Sequence, residues 1–360
     1  MNGLLTRGLG FSRFSGVYVF AVMFGIFSIW LPHTFPNSTT LQTVVGNQAI
    51  TGVAALGLVC AMSVGGFDLS VGNVIGLSST VGAALMVRHH VTPALAIIIV
   101  LALGLCIGAI NGILVVRFRI NAIVATLGMS SAVIAFDDKI TDGQFITPVP
   151  KSFAKLTSGQ PLGIPTPFLV LIAVALLTWY VLEHTPLGRK MVATGSGPDA
   201  ARLAGTKTGR MQFVGLMMAS TLASLAGLML LSTVGSAAPD AGPPYLLPLF
   251  AAVYLGSTQI KPGRFNIWGT MVALYVLAIG VKGLELAGGQ YWVSELFNGA
   301  ALLIAVAIAV SAQDRRRWLA ARLHRRRRPP ASLGNEELAR EAAAAEQIGV
   351  PAARPPSSVL

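Results

Sequence analysis

Charge is what this sequence has least of. Of its 360 residues only 11% are Asp, Glu, Lys or Arg, while 54% are hydrophobic; an ordinary soluble domain carries about 25% charged residues. Between Phe14 and Val87 the one formally charged side chain is Asp68. A soluble chain cannot keep its surface hydrated over such a length, so the solvent here is lipid. Three crossings of about 20 residues each fit in that stretch.

Cysteine is scarce too. Cys60 and Cys106 both sit inside apolar runs without a Cys-x-x-Cys or Cys/His spacing, which reads as two buried free thiols and no metal site. The five histidines fall near the ends of apolar runs or in the C-terminal tail, and neither His-Glu-x-x-His nor Gly-x-Ser-x-Gly occurs. There is no Gly-x-x-x-x-Gly-Lys-Ser/Thr phosphate loop. The chain is therefore expected to be no enzyme and to bind no cofactor. Energy, if used, comes from a partner or an ion gradient.

What is present are apolar runs, at 14–32, 41–62, 69–87, 92–116, 121–136, 165–183, 211–234, 244–260, 265–281 and 293–312. Lipid offers no water to unpaired backbone groups, so these runs predict an all-α membrane protein of about ten transmembrane helices. The first run follows Arg7 and Arg13 as a signal peptide would, but it is long and lacks a small-x-small cleavage site, and reads as a retained span. Glycines within the spans, such as Gly104 and Gly108, permit close helix approach.

The net charge of +12 is unevenly spread, and ten of the 26 basic residues lie after Ala312. With the amino terminus inside, eleven further basic residues fall in internal segments and five in external ones, so both termini are expected in the cytoplasm. This gives a cytoplasmic N-terminus over 1–13, a membrane domain over 14–312 and a basic, disordered cytoplasmic tail over 313–360. The runs Arg315–Arg317 and Arg325–Arg328 orient the last span, with attraction to anionic lipid as a second role worth about 1 kcal/mol per residue. Asn335 is placed to cap a short helix from Glu336 to Gln347. No nucleic-acid partner is implied.

Two stretches interrupt the apolar background. GGFDLSVG, Gly65 to Gly72, predicts a helix break at the cytoplasmic end of a span, where Gly65 and Gly66 allow unusual backbone and Asp68 or Ser70 caps the next helix. An unpaired carboxylate at membrane depth costs about 2.5 to 3.5 kcal/mol, so Asp68 either caps or meets a partner, in a gating or subunit-contact role. The second stretch is the internal loop His184–Arg210, containing GSGPDAARLAG from Gly195 to Gly205. Pro198 suits the first helical position and Asp199 the positive helix end, while Ala200, Leu203 and Ala204 share a face. A loop this long with a small-residue helix in it predicts a docking surface.

At these stretches the chain resembles the ribose/xylose-type permease family of bacterial ABC sugar importers, whose members carry GGIDLSVG-like and GxNPxAAxxxGI-like segments. TLGMSS, Thr126 to Ser131, and AAVYLGST, Ala251 to Thr258, are similar to two further family segments. The resemblance spans roughly residues 41 to 312. It implies a multi-pass inner-membrane subunit that pairs with a second permease copy or homologue. Such a subunit takes solute from a periplasmic binding protein and docks separate ATPases that hold ATP and Mg. It also maps a coupling helix onto Ala200, Ala201 and Gly205. Gly197 stands where the family has Asn, while FDDKITDG (Phe136 to Gly143) and QIKPGRF (Gln259 to Phe265) replace family segments. Asn47, Gln48, Asn111 and Asn298 either face a solute pathway or bond helix to helix. The competing expectation is an ion-driven secondary transporter, for which Asp68 is the clear ionisable candidate. A membrane scaffold is a third, and it leaves the break at GGFDLSVG unexplained.

Overall fold

The computed structural model describes residues 15–326, whose elements are all helical apart from one bridge pair, Ile146 with Ala237. The helices are α1 Ser15–Trp30, α2 Ser38–Ser63, α3 Val71–Val87, α4 Pro93–Val116, α5 Ala122–Thr141, α6 Lys151–Ser158, α7 Thr166–His184, α8 Pro186–Ser196, α9 Pro198–Leu203, α10 Thr208–Val234, α11 Leu246–Ser257, α12 Ile267–Leu286 and α13 Tyr291–Arg326. The chain divides into two compact units, 1–309 and 310–360. Of the second, residues up to Arg326 are described and are helical, so the tail does not begin as coil at 313. The short helix expected at Glu336–Gln347 lies outside the described residues.

Among the described residues, six helices are long and apolar enough to cross a membrane: α2, α4, α7, α10, α12 and residues 292–310 of α13. Each of the ten runs read from the sequence falls on a helix, but four of those helices fall short. α1 and α3 have 16 and 17 residues, α11 has 12, and α5 carries Asp137, Asp138 and Lys139 near its C-terminal end. At 1.5 Å per residue, about 20 apolar residues are needed for a 30 Å hydrocarbon layer. An apolar run in the sequence is thus not yet a span.

The centre of the bundle is α2, 83% of whose apolar window is buried, and α10, against 11% for residues 292–310. α10 packs on α4, α2 and α3, and α2 in turn on α7, α12 and α11. Small residues make this possible. A Cβ on Gly108 would lie 2.6 Å from Met217 Cα and 2.8 Å from the Leu216 carbonyl, so α4 and α10 meet backbone to backbone, as the sequence anticipates. Lipid gives no hydrophobic drive between helices, and bonds such as Ser78 Oγ to Ser224 Oγ, 2.9 Å, add to this packing. Large apolar side chains point outward instead, among them Ile98 on α4, Val124 on α5 and Leu303 on α13.

The connections gather at two ends. At one, Gly195 lies against the Ser63 carbonyl and Lys261 pairs with Glu183 at 2.6 Å. At the other, Arg88 donates to the Ile140 carbonyl at 2.6 Å and Ile146 bridges Ala237. The loops that charge assigns to the inside meet at the first end, and those it assigns to the outside at the second.

Candidate functional site

The break after α2 forms as the glycines suggest. Gly65, at φ +76°, and Gly66 donate to the carbonyls of Met62 and Ala61, which closes the helix with a left-handed turn open to glycine. Asp68 then turns inward and is fully buried. Its Oδ1 accepts from the Ser70 amide at 2.9 Å and from the Ser70 hydroxyl, and its Oδ2 accepts from Ser220 Oγ of α10 at 3.4 Å. Asn111 of α4 donates to Ser70 Oγ at 3.0 Å, and Thr126 Oγ1 of α5 accepts from the Leu69 amide at 3.0 Å.

This corrects the capping expectation. Ser70 occupies the cap position of α3 but makes no side-chain cap bond, and Asp68 bonds Ser70 itself instead of an amide deeper in the helix. The carboxylate fastens the break to α10, and through Ser70 and Asn111 to α4. None of the ion pairs among the described residues involves Asp68, so hydroxyl and amide donors satisfy it. Three donors thus meet a carboxyl group that burial would otherwise leave unpaired. Asn111 itself bonds helix to helix, one of the two roles its polarity suggested.

α3 and α5 run side by side in constant register. Leu69 meets Thr126 and Asn73 meets Ser130, both 57 residues apart. Asp137, at the same offset from Thr80, is 4% exposed and accepts from the Asp240 amide at 3.3 Å. The apolar run read from the sequence stops at 136, one residue before Asp137. Its burial was missed because α5 continues past 136 to Thr141.

A cavity of 360 Å³ opens between α2, the Pro243–Tyr245 turn, α12 and α13. Gln48, Thr51, Tyr245, Glu285 and Asn298 supply polar groups, and Leu277 is among its apolar walls. Gln48 and Asn298, 250 residues apart in sequence, are thus brought together. Asn47 is not. It lines a separate cavity of 210 Å³ with Thr43, Thr157 and Gln160. With Ser294 and Glu295 as well, about half of the wall of the 360 Å³ cavity is polar and two carboxylates line it, which offers hydrogen bonds to a polar solute.

At the end that carries the break, α8 leads into α9, and α8 itself was not foreseen. Thr185 caps α8 by accepting from the Gly188 amide at 3.2 Å. Pro198 starts α9 at its first position, and Arg202 pairs with Asp199 at 3.5 Å on the surface. Ala200 and Ala204 are exposed and Leu203 is 91% exposed, the shared face expected from spacing. Ala201 is the reverse, 6% exposed against its own subunit. Gly205, at φ +81° with no neighbour near its Cβ position, donates to the Arg202 carbonyl, and Thr206 to that of Ala201. Its left-handed backbone serves the helix end. Gly195 is small because Ser63 is behind it.

Residues 40–306 match the family described as branched-chain amino acid transport system / permease component. The chain belongs to this permease family. Among its relatives, the ribose import permease protein RbsC of Escherichia coli strain K12 is 32% identical over 294 residues, 80% of this chain and 90% of the relative. RbsC of Bacillus subtilis strain 168 is 32% identical over 295 residues, 81% and 90% of the two chains. The autoinducer 2 import system permease protein LsrD of E. coli O9:H4 is 30% identical over 280 residues, 75% and 84%. No solved structure matches significantly. The permease is thus a translocator component of a multi-pass inner-membrane transport system, and not an enzyme.

Proposed function

We propose that this permease is the membrane subunit of an ATP-driven importer for a sugar or similar polar solute, working by alternating access. It pairs with a second permease copy or homologue and receives solute from a periplasmic binding protein, while separate ATPase subunits carry ATP and Mg. The membrane domain covers 14–312, both termini are cytoplasmic, and α8 and α9 face the cytoplasm. The break at Gly65, Gly66, Asp68, Ser70 and Gly72 is the hinge region of the gate, and Gln48 and Asn298 touch the passing solute.

The observation that carries this reading is Leu203, a large apolar side chain 91% exposed on a short helix beside the broken end of α2. A single exposed leucine is common on a protein surface, but this one shares the exposed side of α9 with Ala200 and Ala204, and an ATPase is the partner a permease without a nucleotide motif needs. The surface therefore comprises Asp199, Ala200 and Leu203, with Pro198 and Gly205 fixing the ends of the helix and Ala201 and Gly195 seating it.

Reconstitution tests the reading. The permease alone in proteoliposomes should neither hydrolyse ATP nor accumulate sugar under a proton or sodium gradient. With its ATPase and binding protein it should accumulate sugar only with ATP. Gradient-driven uptake by the permease alone would establish the secondary-transporter alternative.

A further inference from the structure

A cavity of 240 Å³ opens where the last turn of α7, the start of α8 and the segment leading into α12 meet. Arg189, Lys261 and Arg264 line it, with Glu183 as the one acidic group. Lys261 Nζ takes that carboxylate at 2.6 Å. No carboxylate pairs with Arg189 or Arg264 among the described residues, so two uncompensated guanidinium groups face one cavity. Like charges brought to one concave site repel, and an anion between them removes that cost. The guanidinium fork, with its parallel N–H donors, matches phosphate oxygens.

The depth of the cavity follows from a separate observation. Trp179, one turn before Glu183 on α7, packs edge-on against Trp268 of α12 at 6.1 Å and against His184 at 4.5 Å. Trp268 directly follows Ile267, which lines the cavity. Tryptophans concentrate at the boundary between hydrocarbon and headgroups, which sets the cavity at headgroup height. Phe265 and Ile267 form an apolar wall beside the arginines. Basic pockets between membrane helices at this level suit phospholipid headgroups.

We propose that this cavity binds the phosphate of an anionic phospholipid, with Arg189 and Arg264 gripping its oxygens and the Lys261–Glu183 pair fixing the rim. The site requires that α7 and α12 cross the bilayer, and it is independent of the solute and of ATP.

The test uses the purified full chain in detergent, given phosphatidylglycerol or phosphatidylcholine, with retained lipid counted by native mass spectrometry and the thermal midpoint read in parallel. Wild type should retain phosphatidylglycerol at least tenfold over phosphatidylcholine and gain stability from it. An Arg189→Gln/Arg264→Gln variant should lose that preference, whereas Lys282→Gln, at the other end of α12, should keep it. The basic run at 315–328 is present in every variant, so its attraction cancels between them, and the preference assigned to the cavity is the part by which wild type exceeds the double variant. Equal retention of both lipids by wild type overturns the proposal without reference to any variant's folding. So does undiminished phosphatidylglycerol retention in the folded double variant. Inorganic phosphate or glycerol phosphate forms the second arm. If either, at millimolar concentration and without lipid, reproduces the stabilisation, the cavity takes a free phosphate and the lipid assignment fails.

Discussion

Asp68 accepts a hydrogen bond from Ser220, 152 residues further along the chain, at 3.4 Å in the buried centre of the bundle. The bond joins the break after α2 to α10, the helix on which α4 and α3 also pack. Asp68→Asn retains an acceptor for the Ser70 amide, and its new donor faces a Ser220 hydroxyl able to accept. Asp68→Leu strands three donors, each costing about 1 to 3 kcal/mol. Stability against denaturant in detergent should therefore fall by several kcal/mol for Leu and by little for Asn. Equal losses would mean the hydrogen bonds do not hold the break.

The α4–α10 contact should respond to size alone. Gly108→Val puts side-chain atoms where Met217 and Leu216 backbone lies, so an overpacking loss of about 1 to 3 kcal/mol or failure to assemble is expected. Gly128→Ala, with open space at its Cβ position, should be silent in the same assay.

If solute passes the cavity that Gln48 and Asn298 share, Gln48→Leu and Asn298→Leu should each reduce uptake about fivefold to tenfold, the loss of roughly one hydrogen bond of 1 kcal/mol or slightly more. Membrane levels should be unchanged. Asn47→Leu, which borders the other cavity, should transport normally. Equal loss from all three variants would remove the distinction between the cavities.

Sidedness is open to direct labelling. With Cys60 and Cys106 replaced, a cysteine at Asp199 should be protected from an impermeant thiol reagent in whole cells, and one at Ser158 should react. Labelling of the Asp199 site from outside would invert the topology.

Much of this was legible because punctuation residues act locally. Gly65 and Gly66 end α2, and Pro198 and Gly205 bound α9, whatever the rest of the chain does. The bonding of Asp68 was not, since Ser220 lies 152 residues away and serine in a span looks like any small residue. Adjacent helical residues point about 100° apart, which is why Asn47 and Gln48 separate into different cavities despite equal polarity. For α9, spacing predicted one face but gave no sign of which residue the subunit itself covers. Ala201 faces inward, and Ala200 and Leu203 remain outside. α8 escaped notice because its Gly and basic residues carry no long apolar run.

The most direct test of ATPase docking at α9 is co-purification of the ATPase with Leu203→Asp permease, scored beside sugar uptake. Burying Leu203 against a partner is worth about 1.5 to 3 kcal/mol, so loss of that contact with a charge in its place should weaken ATPase recovery by about two orders of magnitude and abolish uptake. Membrane insertion and permease pairing should stay intact, because Leu203 touches little of its own subunit. Ala201→Trp, by contrast, should lower the amount of folded permease. Full ATPase recovery with normal uptake in Leu203→Asp would contradict docking at α9.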